Sequence, residues 1–364
     1  MKIGITLDMS VAFWANGMQQ NIVFLNELLS RAGNDCCYIT FKKPVYGLHK
    51  DHKGMMLDDL LSDESEVFDV IIVAGFDLFP EMYRKLKRRN KNLKIILVHF
   101  GNKLMDDVHY GVCDTKTTKE PLQKPEILDQ VWISPHHEFG AEYIKTYYDT
   151  ENVHTVPYVW SGFFVDEKIQ ELKGKSLSPF FRPGSAADVC IFEPNISHLK
   201  TCIIPLAICE RFNKLFPGEL GDVNTFGCAK IRTNKFFEKL MHKFSIVHDT
   251  KKCYFNNRWG ALDALSKFGS TVVSHQVHNE LNYSHFEALY LGLPLIHNSP
   301  RLENVGYYYP EFDVNMGAKQ LKNAIQNHAS TIDAYKKDAD NFLKGFSPIA
   351  EHNIKGYIDL LRNE

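Results

Sequence analysis

Features that mark several common protein classes are missing from this 364-residue sequence. No apolar run approaches the ~20 residues that a membrane-spanning helix needs. The opening MKIGITLDMS enters a strand pattern without the long apolar stretch of a signal peptide. The formal net charge of −2 lacks the basic excess typical of nucleic-acid binders. We therefore expect a cytoplasmic protein (host cytoplasm, if the chain is viral) with no nucleic-acid partner and no integral membrane contact.

Cofactor and metal signatures are also missing. The eight cysteines include no C-x-x-C pair, so we expect reduced, mostly buried thiols. His275 and His278 lie close together, but no cysteine or carboxylate with ligand spacing accompanies them, and no metal is predicted. No G-x-G-x-x-G follows the first predicted strand, which weighs against an NAD enzyme.

What the sequence does contain is a regular alternation of strands and helices. Apolar runs such as FDVIIVAG and KIILVHF alternate with helical spacing over residues 1–165. Buried apolar strands separated by helices are typical of a parallel sheet covered on both faces. Residues 185–345 repeat this plan, and one of their strands is predicted over Phe244–His248.

The two repeats of this plan predict the domain organisation. Residues 166–184, rich in charge, Ser, Pro and Gly, predict a linker, and residues 346–364 predict a helix that packs back on the first domain. The predicted fold class is α/β, with two Rossmann-like doubly wound parallel-sheet domains facing a cleft.

The richest motif is NELNYSHFEALYLGLPLIHNS, from Asn279 to Ser299. Ser284 and Glu287 form an S-x-x-E capping box ahead of an apolar helix. The amino end of a helix attracts anions, because its backbone N–H groups lack partners within the helix. On these residues alone, an anion-binding helix and a merely structural one are equally compatible.

The same segment resembles the second domain of GT-B glycosyltransferases, in particular the retaining glycosyltransferase family 4. The family spelling E-A-x-x-x-G-x-P is matched by Glu287, Ala288, Gly292 and Pro294. The resemblance implies that Glu287 binds the ribose hydroxyls of a nucleotide-sugar donor. Asn279 stands where the family has a second glutamate, facing the donor sugar. The resemblance also implies that the donor diphosphate is held by backbone amides at Asn282, Tyr283 and Ser284.

A closer resemblance is to a smaller group of bacterial and large-DNA-virus (chlorovirus-like) proteins, carried by FEPNISHLKT, SHQVHNELNY and VGYYYPEF within residues 186–330. In the wider family, an arginine and a lysine after the first strand of this domain contact the donor phosphates. Lys200 matches the lysine, whereas Glu193 and Pro194 stand where the arginine would be. The resemblance implies that Lys200 offsets the charge of the leaving diphosphate.

Further candidates follow other predicted strands. Asn16 and Gly17 match the end of a loop that, in these enzymes, lies against the donor. His99 ends the strand KIILVH, where retaining relatives often place a histidine near the donor sugar, so His99, Lys200 and Glu287 are the predicted catalytic residues. His248 and Asp249 end a predicted strand near the expected nucleobase, where a carboxylate would accept guanine N–H groups.

The resemblance implies a retaining glycosyltransferase that moves a hexose to a hydroxyl of a glycan or glycoprotein. GDP-mannose is the first expected donor and a UDP-hexose the second, with no other cofactor. A sugar-nucleotide epimerase of the same fold and a non-catalytic carbohydrate-binding or assembly protein are the alternatives. Tyr307 to Tyr309 are expected to be exposed, and they would suit a homodimer face and the cleft equally well.

Overall fold

A computed structural model describes residues 1–10, 17–41, 53–62, 66–113 and 128–362. The chain divides into two compact units. Unit 1 consists of Met1–Ser161 together with Phe346–Glu364, and unit 2 of Gly162–Gly345. Each unit is built on its own parallel β-sheet with helices, as the predicted fold class requires.

The sheet of unit 1 has seven parallel strands among the described residues, in the order β3-β2-β1-β4-β5-β6-β7. Its central strand, β4 (Val70–Val73, VIIV), is apolar and buried along its whole length, because helices cover both faces of a doubly wound sheet. The strands are β1 (Lys2–Thr6), β2 (Asp35–Thr40), β3 (Lys53–Met56), β4 (Val70–Val73), β5 (Lys94–His99), β6 (Gln130–Ile133) and β7 (Val153–Thr155).

The helices of unit 1 come from both ends of the chain. The last helix, α13 (Glu351–Arg362), is hydrogen-bonded to β5 and to the segment after β7. The Lys94 ammonium donates to the Leu361 carbonyl at 3.2 Å, and the Tyr357 hydroxyl donates to the Pro157 carbonyl at 2.8 Å. The helices are α1 (Gly17–Arg31), α2 (Leu57–Leu61), α3 (Pro80–Arg89), α4 (Lys103–Cys113), α5 (Ala141–Tyr148) and α13 (Glu351–Arg362).

The sheet of unit 2 has six parallel strands within the described range, in the order β10-β9-β8-β11-β12-β13. The strands are short, and their side chains are buried throughout in β8, β9, β11 and β12. They are β8 (Val189–Ile191), β9 (Val223–Thr225), β10 (Cys253–Phe255), β11 (Thr271–Val273), β12 (Leu295–His297) and β13 (Tyr307–Tyr308).

The helices of unit 2 include one that overlaps the predicted linker, residues 166–184. Helix α6 (Phe163–Gly174) covers the first half of that stretch and belongs to unit 2. It buries Phe164, Ile169 and Leu172, an apolar spacing that the surrounding charge obscures. The helices are α6 (Phe163–Gly174), α7 (Ile203–Leu215), α8 (Lys235–Met241), α9 (Ser245–His248), α10 (Ala261–Lys267), α11 (Tyr283–Tyr290) and α12 (Val314–Lys344).

The strand predicted over Phe244–His248 is wrong, because this segment forms α9. Periodicity cannot separate a strand from a helical turn in so short an apolar run. A buried tertiary contact decides the outcome: the Glu210 carboxylate accepts hydrogen bonds from the Ser245 hydroxyl and the Ile246 N–H at 3.1 and 3.0 Å. The true edge strand, β10, follows a few residues later.

None of the helices among the described residues combines the length and apolar character needed to cross a membrane. Of the cysteines, Cys113 is exposed and Cys253 half-buried, while the other six are buried.

Candidate active site

In an open parallel sheet, ligands bind beyond the carboxyl ends of the strands, where the strand order reverses. In unit 2 this reversal falls between β8 and β11. The chain leaving β8 reaches Glu193, and the chain leaving β11 reaches Ser274, His275 and Gln276. All four side chains are buried, at 1–3% exposure. The sheet topology therefore places a cluster of polar groups at the expected ligand position of this unit.

Glu193 is the centre of this cluster. Its carboxylate accepts hydrogen bonds from the Ser274 hydroxyl at 2.6 Å, the His275 N–H at 3.2 Å and the Gln276 amide at 2.8 Å. Burial raises the pKa of Glu193 to about 7, although these donors and the charge of Lys200 act in the opposite direction. The carboxylate thus ties the end of β8 to the end of β11.

Gln276 carries this connection on towards α11. Its side-chain oxygen accepts from the Asn279 amide at 3.2 Å and from the Asn282 amide at 3.1 Å. Its backbone is fixed as well, because its N–H donates to the Asn298 side-chain oxygen and its carbonyl accepts from the Asn298 amide, at 2.8 and 2.9 Å. Asn279 and Asn282, two predicted donor-binding residues, are therefore brought to the switch point.

Helix α11 is capped by Asn282 and not by Ser284, so the predicted capping box is wrong. The Asn282 side-chain oxygen accepts from the Ser284 N–H and hydroxyl, both at 3.0 Å. The Ser284 N–H, predicted to hold a phosphate, is thus already hydrogen-bonded within the unit. Tyr283 is the first residue of the helix. Because the cap lies two residues earlier than predicted, Glu287 falls beyond the first turn.

Glu287 is partly buried on α11, and burial raises its pKa to about 8. No hydrogen bond or ion pair reaches its carboxyl from the rest of the described chain. A carboxyl withdrawn from water without a partner is costly, and such groups concentrate at functional sites.

Lys200 lies in the loop between β8 and α7, shortly before the helix begins at Ile203. The loop is shaped by Asn195, whose backbone adopts a left-handed conformation (φ 55°). The Asn195 side-chain oxygen accepts from the Cys202 N–H at 2.8 Å, and its amide donates to the Glu193 carbonyl at 2.7 Å. Lys200 therefore contributes positive charge close to Glu193.

Histidines form a second buried layer in unit 2. His275 Nδ1 lies 3.0 Å from the Tyr309 hydroxyl, which donates to the Ser274 carbonyl at 3.0 Å. His285 Nε2 lies 2.8 Å from the Ser274 hydroxyl. Burial lowers the pKa of His275 to about 4 and that of His285 well below its ordinary value. These rings therefore act as neutral hydrogen-bonding groups at neutral pH.

In unit 1, His99 ends β5 at the carboxyl edge of its sheet, as predicted from KIILVH. Its Nε2 lies 3.0 Å from the Tyr148 hydroxyl, with the two rings stacked at 5.7 Å. Burial, followed by the charge of Lys103, lowers the pKa of His99 to about 4. Gly17 is the first residue of α1, and Asn16 lies outside the described residues.

His248 and Asp249 do not lie at the carboxyl edge of the second sheet. They end α9, and the chain then enters the amino end of β10. At that end, the Lys252 carbonyl accepts from the N–H of Val223, the first residue of β9. The two residues therefore occupy the edge opposite the switch point. The prediction that they end a strand beside the nucleobase is wrong.

The tyrosines proposed as a dimer face are also placed differently. Tyr307 and Tyr309 are buried, at 9% and 0% exposure, and Tyr308 is half-buried. Tyr307 reaches His328 of α12 at 3.1 Å. These aromatic rings belong to the core around β13, because the last strand is covered by α12.

Five polar residues of the cluster were not predicted as site residues: Glu193, Ser274, His275, Gln276 and Asn298. Each lies just after an apolar strand, in VCIFE, TVVSHQ or LIHNS, and that position was the available signal. Metal-binding groups of three or more His, Cys, Asp or Glu residues are not found in the described ranges.

Solved structures with this architecture define the class of fold. A mutant of S. aureus TarM in complex with fondaparinux, alpha-GlcNAc-glycerol and UDP matches with 14% identity and a TM-score of 0.51, covering 81% of this chain. This chain spans only 55% of that TarM chain. An alpha-glucosyltransferase in complex with UDP and a 13-mer DNA containing an HMU base matches over 100% of both chains, with 11% identity and a TM-score of 0.60.

A sucrose-phosphate synthase from Thermosynechococcus elongatus matches over 99% of this chain and 98% of its own, with 13% identity and a TM-score of 0.57. The chain thus has the GT-B fold, as predicted. By its sequence, the chain belongs to the family described as "Protein of unknown function (DUF2827)", whose model matches residues 3–361. No curated protein matches its sequence. The resemblance to family 4 and to the bacterial and viral group stays a prediction.

Proposed function

We propose that this protein is a glycosyltransferase that moves a hexose from a nucleoside diphosphate sugar to a hydroxyl acceptor. One observation carries the proposal: Lys200 and the start of α11 lie near the switch point of unit 2, and the same helix carries Glu287, whose carboxyl has no hydrogen-bonding partner among the described residues. Lys200 and the amino end of α11 are suited to a diphosphate, and Glu287 to a diol. A nucleoside diphosphate has both groups in one molecule.

Glu287 is the proposed ribose ligand. Its carboxyl has no hydrogen-bonding partner in the described chain, and burial raises its pKa to about 8. Two ribose hydroxyls would donate to the two carboxylate oxygens and replace the water lost on burial. Donor binding would therefore stabilise the ionised form of Glu287.

Lys200 and α11 are the proposed diphosphate ligands. The Lys200 ammonium would offset the charge that develops on the leaving diphosphate during transfer. The positive end of the α11 dipole would act in the same direction, since its first turn begins at Tyr283. The Ser284 N–H is not part of this proposal, because Asn282 already accepts its hydrogen bond.

A uridine donor is the better proposal on the geometry. Recognition of guanine by a carboxylate would need Asp249 beside the base, whereas Asp249 lies at the opposite edge of the sheet. Two of the structurally similar enzymes contain UDP. We therefore place a UDP-hexose before GDP-mannose. Retention of the anomeric configuration, implied by the resemblance to family 4, is kept as part of the proposal.

His99 is proposed for the sugar-transfer step. It lies at the carboxyl edge of the unit 1 sheet, with Nε2 against the Tyr148 hydroxyl. Its lowered pKa of about 4 keeps the ring neutral at physiological pH, so that it can hydrogen-bond a sugar hydroxyl without adding charge. A glycan or glycoprotein hydroxyl is the proposed acceptor.

The deciding experiment is calorimetric titration of the full chain with UDP-glucose, UDP-N-acetylglucosamine, GDP-mannose and the free diphosphates. We expect binding at micromolar to millimolar concentration with a uridine preference. If none of these ligands binds at millimolar concentration, the proposal is wrong. Turnover of the bound donor without any acceptor, giving an epimerised sugar nucleotide, would favour the epimerase. Binding of a glycan with no nucleotide binding would favour the carbohydrate-binding alternative.

A further inference from the structure

In the polar cluster of unit 2, Glu193 sets the donor-to-acceptor direction of the hydrogen bonds. An ionised carboxylate only accepts hydrogen bonds, and a backbone N–H only donates them. Between the Glu193 carboxylate and the Ser284 N–H lie two side-chain amides, Gln276 and Asn282. Each amide can be oriented in either of two ways, but only one orientation matches both of its neighbours.

The orientation of Gln276 is fixed first. Its NH₂ group must face the Glu193 carboxylate, which it reaches at 2.8 Å, so its oxygen faces away. That oxygen accepts from the amides of Asn279 and Asn282 at 3.2 and 3.1 Å. The Asn282 NH₂ group therefore points to Gln276.

The Asn282 oxygen is thereby directed at α11. It accepts from the Ser284 N–H and hydroxyl at 3.0 Å and caps the helix. An Asn282 side chain turned the other way would set its NH₂ group against the Ser284 N–H, and the cap would be lost. The start of α11 is thus specified by the carboxylate of Glu193, which follows β8 and is three hydrogen bonds away.

We infer that Glu193 is a positioning residue, which through Gln276 and Asn282 holds the first turn of α11 in place to receive the donor diphosphate. The inference rests on the proposed function for its ligand, but its structural part does not. Glu193 does not touch the donor in this assignment and acts through the two side-chain amides instead. Its burial at 2% exposure and its three donors suit such a role.

The test is Glu193→Gln, which preserves shape but replaces one acceptor oxygen with a donor NH₂. The oxygen of the new amide still accepts hydrogen bonds from the Ser274 hydroxyl and the His275 N–H. The NH₂ group of the new amide therefore faces Gln276. Gln276 must then turn, and Asn282 with it. We expect amide hydrogen exchange in the first turn of α11 to accelerate about tenfold or more, and UDP affinity to fall about tenfold, at about pH 8 where Glu193 is mainly ionised.

The double variant Glu193→Gln with Gln276→Glu restores the donor-to-acceptor direction of the hydrogen bonds. The negative charge then lies at position 276 instead of position 193. The carboxylate introduced at position 276 would accept from the new amide at position 193 and from both asparagine amides, so the Asn282 cap returns. We expect exchange in α11 and UDP affinity to recover to within about threefold of wild type. Glu210→Gln is the matched control, because Glu210 is also buried in unit 2 and also accepts from a serine hydroxyl and an N–H, but at the opposite edge of the sheet.

The outcomes separate this inference from the proposed function. Unchanged exchange in α11 in Glu193→Gln overturns the inference, whatever the nucleotide result. Accelerated exchange that the double variant does not reverse also overturns the inference. That result would indicate a general loosening of the unit rather than a loss of the donor-to-acceptor direction of the hydrogen bonds. If exchange behaves as expected but wild type binds no nucleotide, the structural relay stands and the proposed function fails.

Discussion

The side-chain oxygen of Asn282 lies 3.0 Å from the backbone nitrogen of Ser284 and caps helix α11. Ser284 itself is therefore a recipient of the cap and not its source. The consequence concerns Glu287, which the S-x-x-E spelling assigned to the capping box. Released from that role, its carboxyl is left partly buried without a partner in the described chain.

Glu287→Ala will weaken UDP binding about 10- to 100-fold, because two hydroxyl-to-carboxylate hydrogen bonds are lost. Wild type will also bind the 2′,3′-dideoxy analogue of UDP more weakly than UDP, and in the variant this preference will nearly vanish. Calorimetric titration of both proteins with both ligands gives the coupling energy directly. Glu303→Ala, at an exposed position of the same unit, is the control. If both proteins preferred UDP to the dideoxy analogue by the same factor, Glu287 would not be the ribose ligand.

Donor affinity will rise with pH between about 6.5 and 8.5. Burial raises the pKa of Glu287 to about 8, and hydroxyl donors favour the ionised form. The free site therefore holds a proton below about pH 8 that binding must release, so affinity increases as pH rises through that pKa. UDP-glucose is the suitable ligand, because its esterified diphosphate does not titrate in this range. We expect about a tenfold increase in wild type. A similarly steep increase in Glu287→Gln would assign the effect to another group, such as Glu193.

Lys200→Ala will weaken UDP binding about tenfold or more and leave uridine binding unchanged, since only the diphosphate is charged. Lys200→Arg will retain most of the affinity. The difference between wild type and the alanine variant will shrink at high ionic strength, because salt screens the charge. Lys235→Ala, an exposed lysine of the same unit, serves as the control. Equal losses for UDP and uridine would indicate a distorted loop rather than a phosphate contact.

His99→Ala will reduce donor turnover, measured as transfer to water or to an acceptor, about 100-fold. UDP affinity will remain within about twofold, because His99 is assigned to the sugar and not to the nucleotide. Tyr148→Phe will have a smaller effect of the same kind, since it removes only the hydroxyl at 3.0 Å from Nε2. His154→Ala, on β7 of the same sheet, is the control. Normal turnover in His99→Ala would remove His99 from the catalytic step.

His297 will make the fold less stable as the pH drops from about 7.5 to 5.5, against the opposite contributions of Glu193 and Glu287, whose pKa values burial raises to about 7 and about 8. His297 Nε2 lies 2.9 Å from the Val305 carbonyl and its Nδ1 accepts from the Ser299 N–H at 3.2 Å, so an added proton at Nδ1 would face a donor. Burial lowers the pKa of His297 to about 4. The unfolded chain therefore binds the proton first, and stability is lost as pH falls from about 6.5 towards 4.

One such histidine costs about 1.4 kcal/mol over the interval from about pH 7.5 to 5.5, by linkage. In urea unfolding of His297→Asn, which retains an acceptor for the Ser299 N–H, the pH dependence will be smaller by about this amount. His352→Asn, at an exposed position, will keep the wild-type dependence. A pH dependence that His297→Asn does not reduce would show that other groups carry the whole effect.

The sequence by itself determined the architecture. Apolar runs such as VIIV and IILV identify buried parallel strands, because strands covered on both faces are apolar at consecutive positions. It also predicted the helix at α11 and the placement of His99 at a strand end. Such features depend on a few consecutive residues, which is the range over which periodicity carries information.

The tertiary structure decided which polar groups meet. Asn282 caps α11 where Ser284 was predicted to do so. His248 lies at the opposite edge of its sheet, because hydrogen bonds to Glu210 hold residues 245 and 246 in a helical turn. The connection of Glu193 to Gln276 joins residues more than eighty positions apart. Strand order sets such pairings, and it depends on how whole strands and helices pack. No local pattern in the sequence records it.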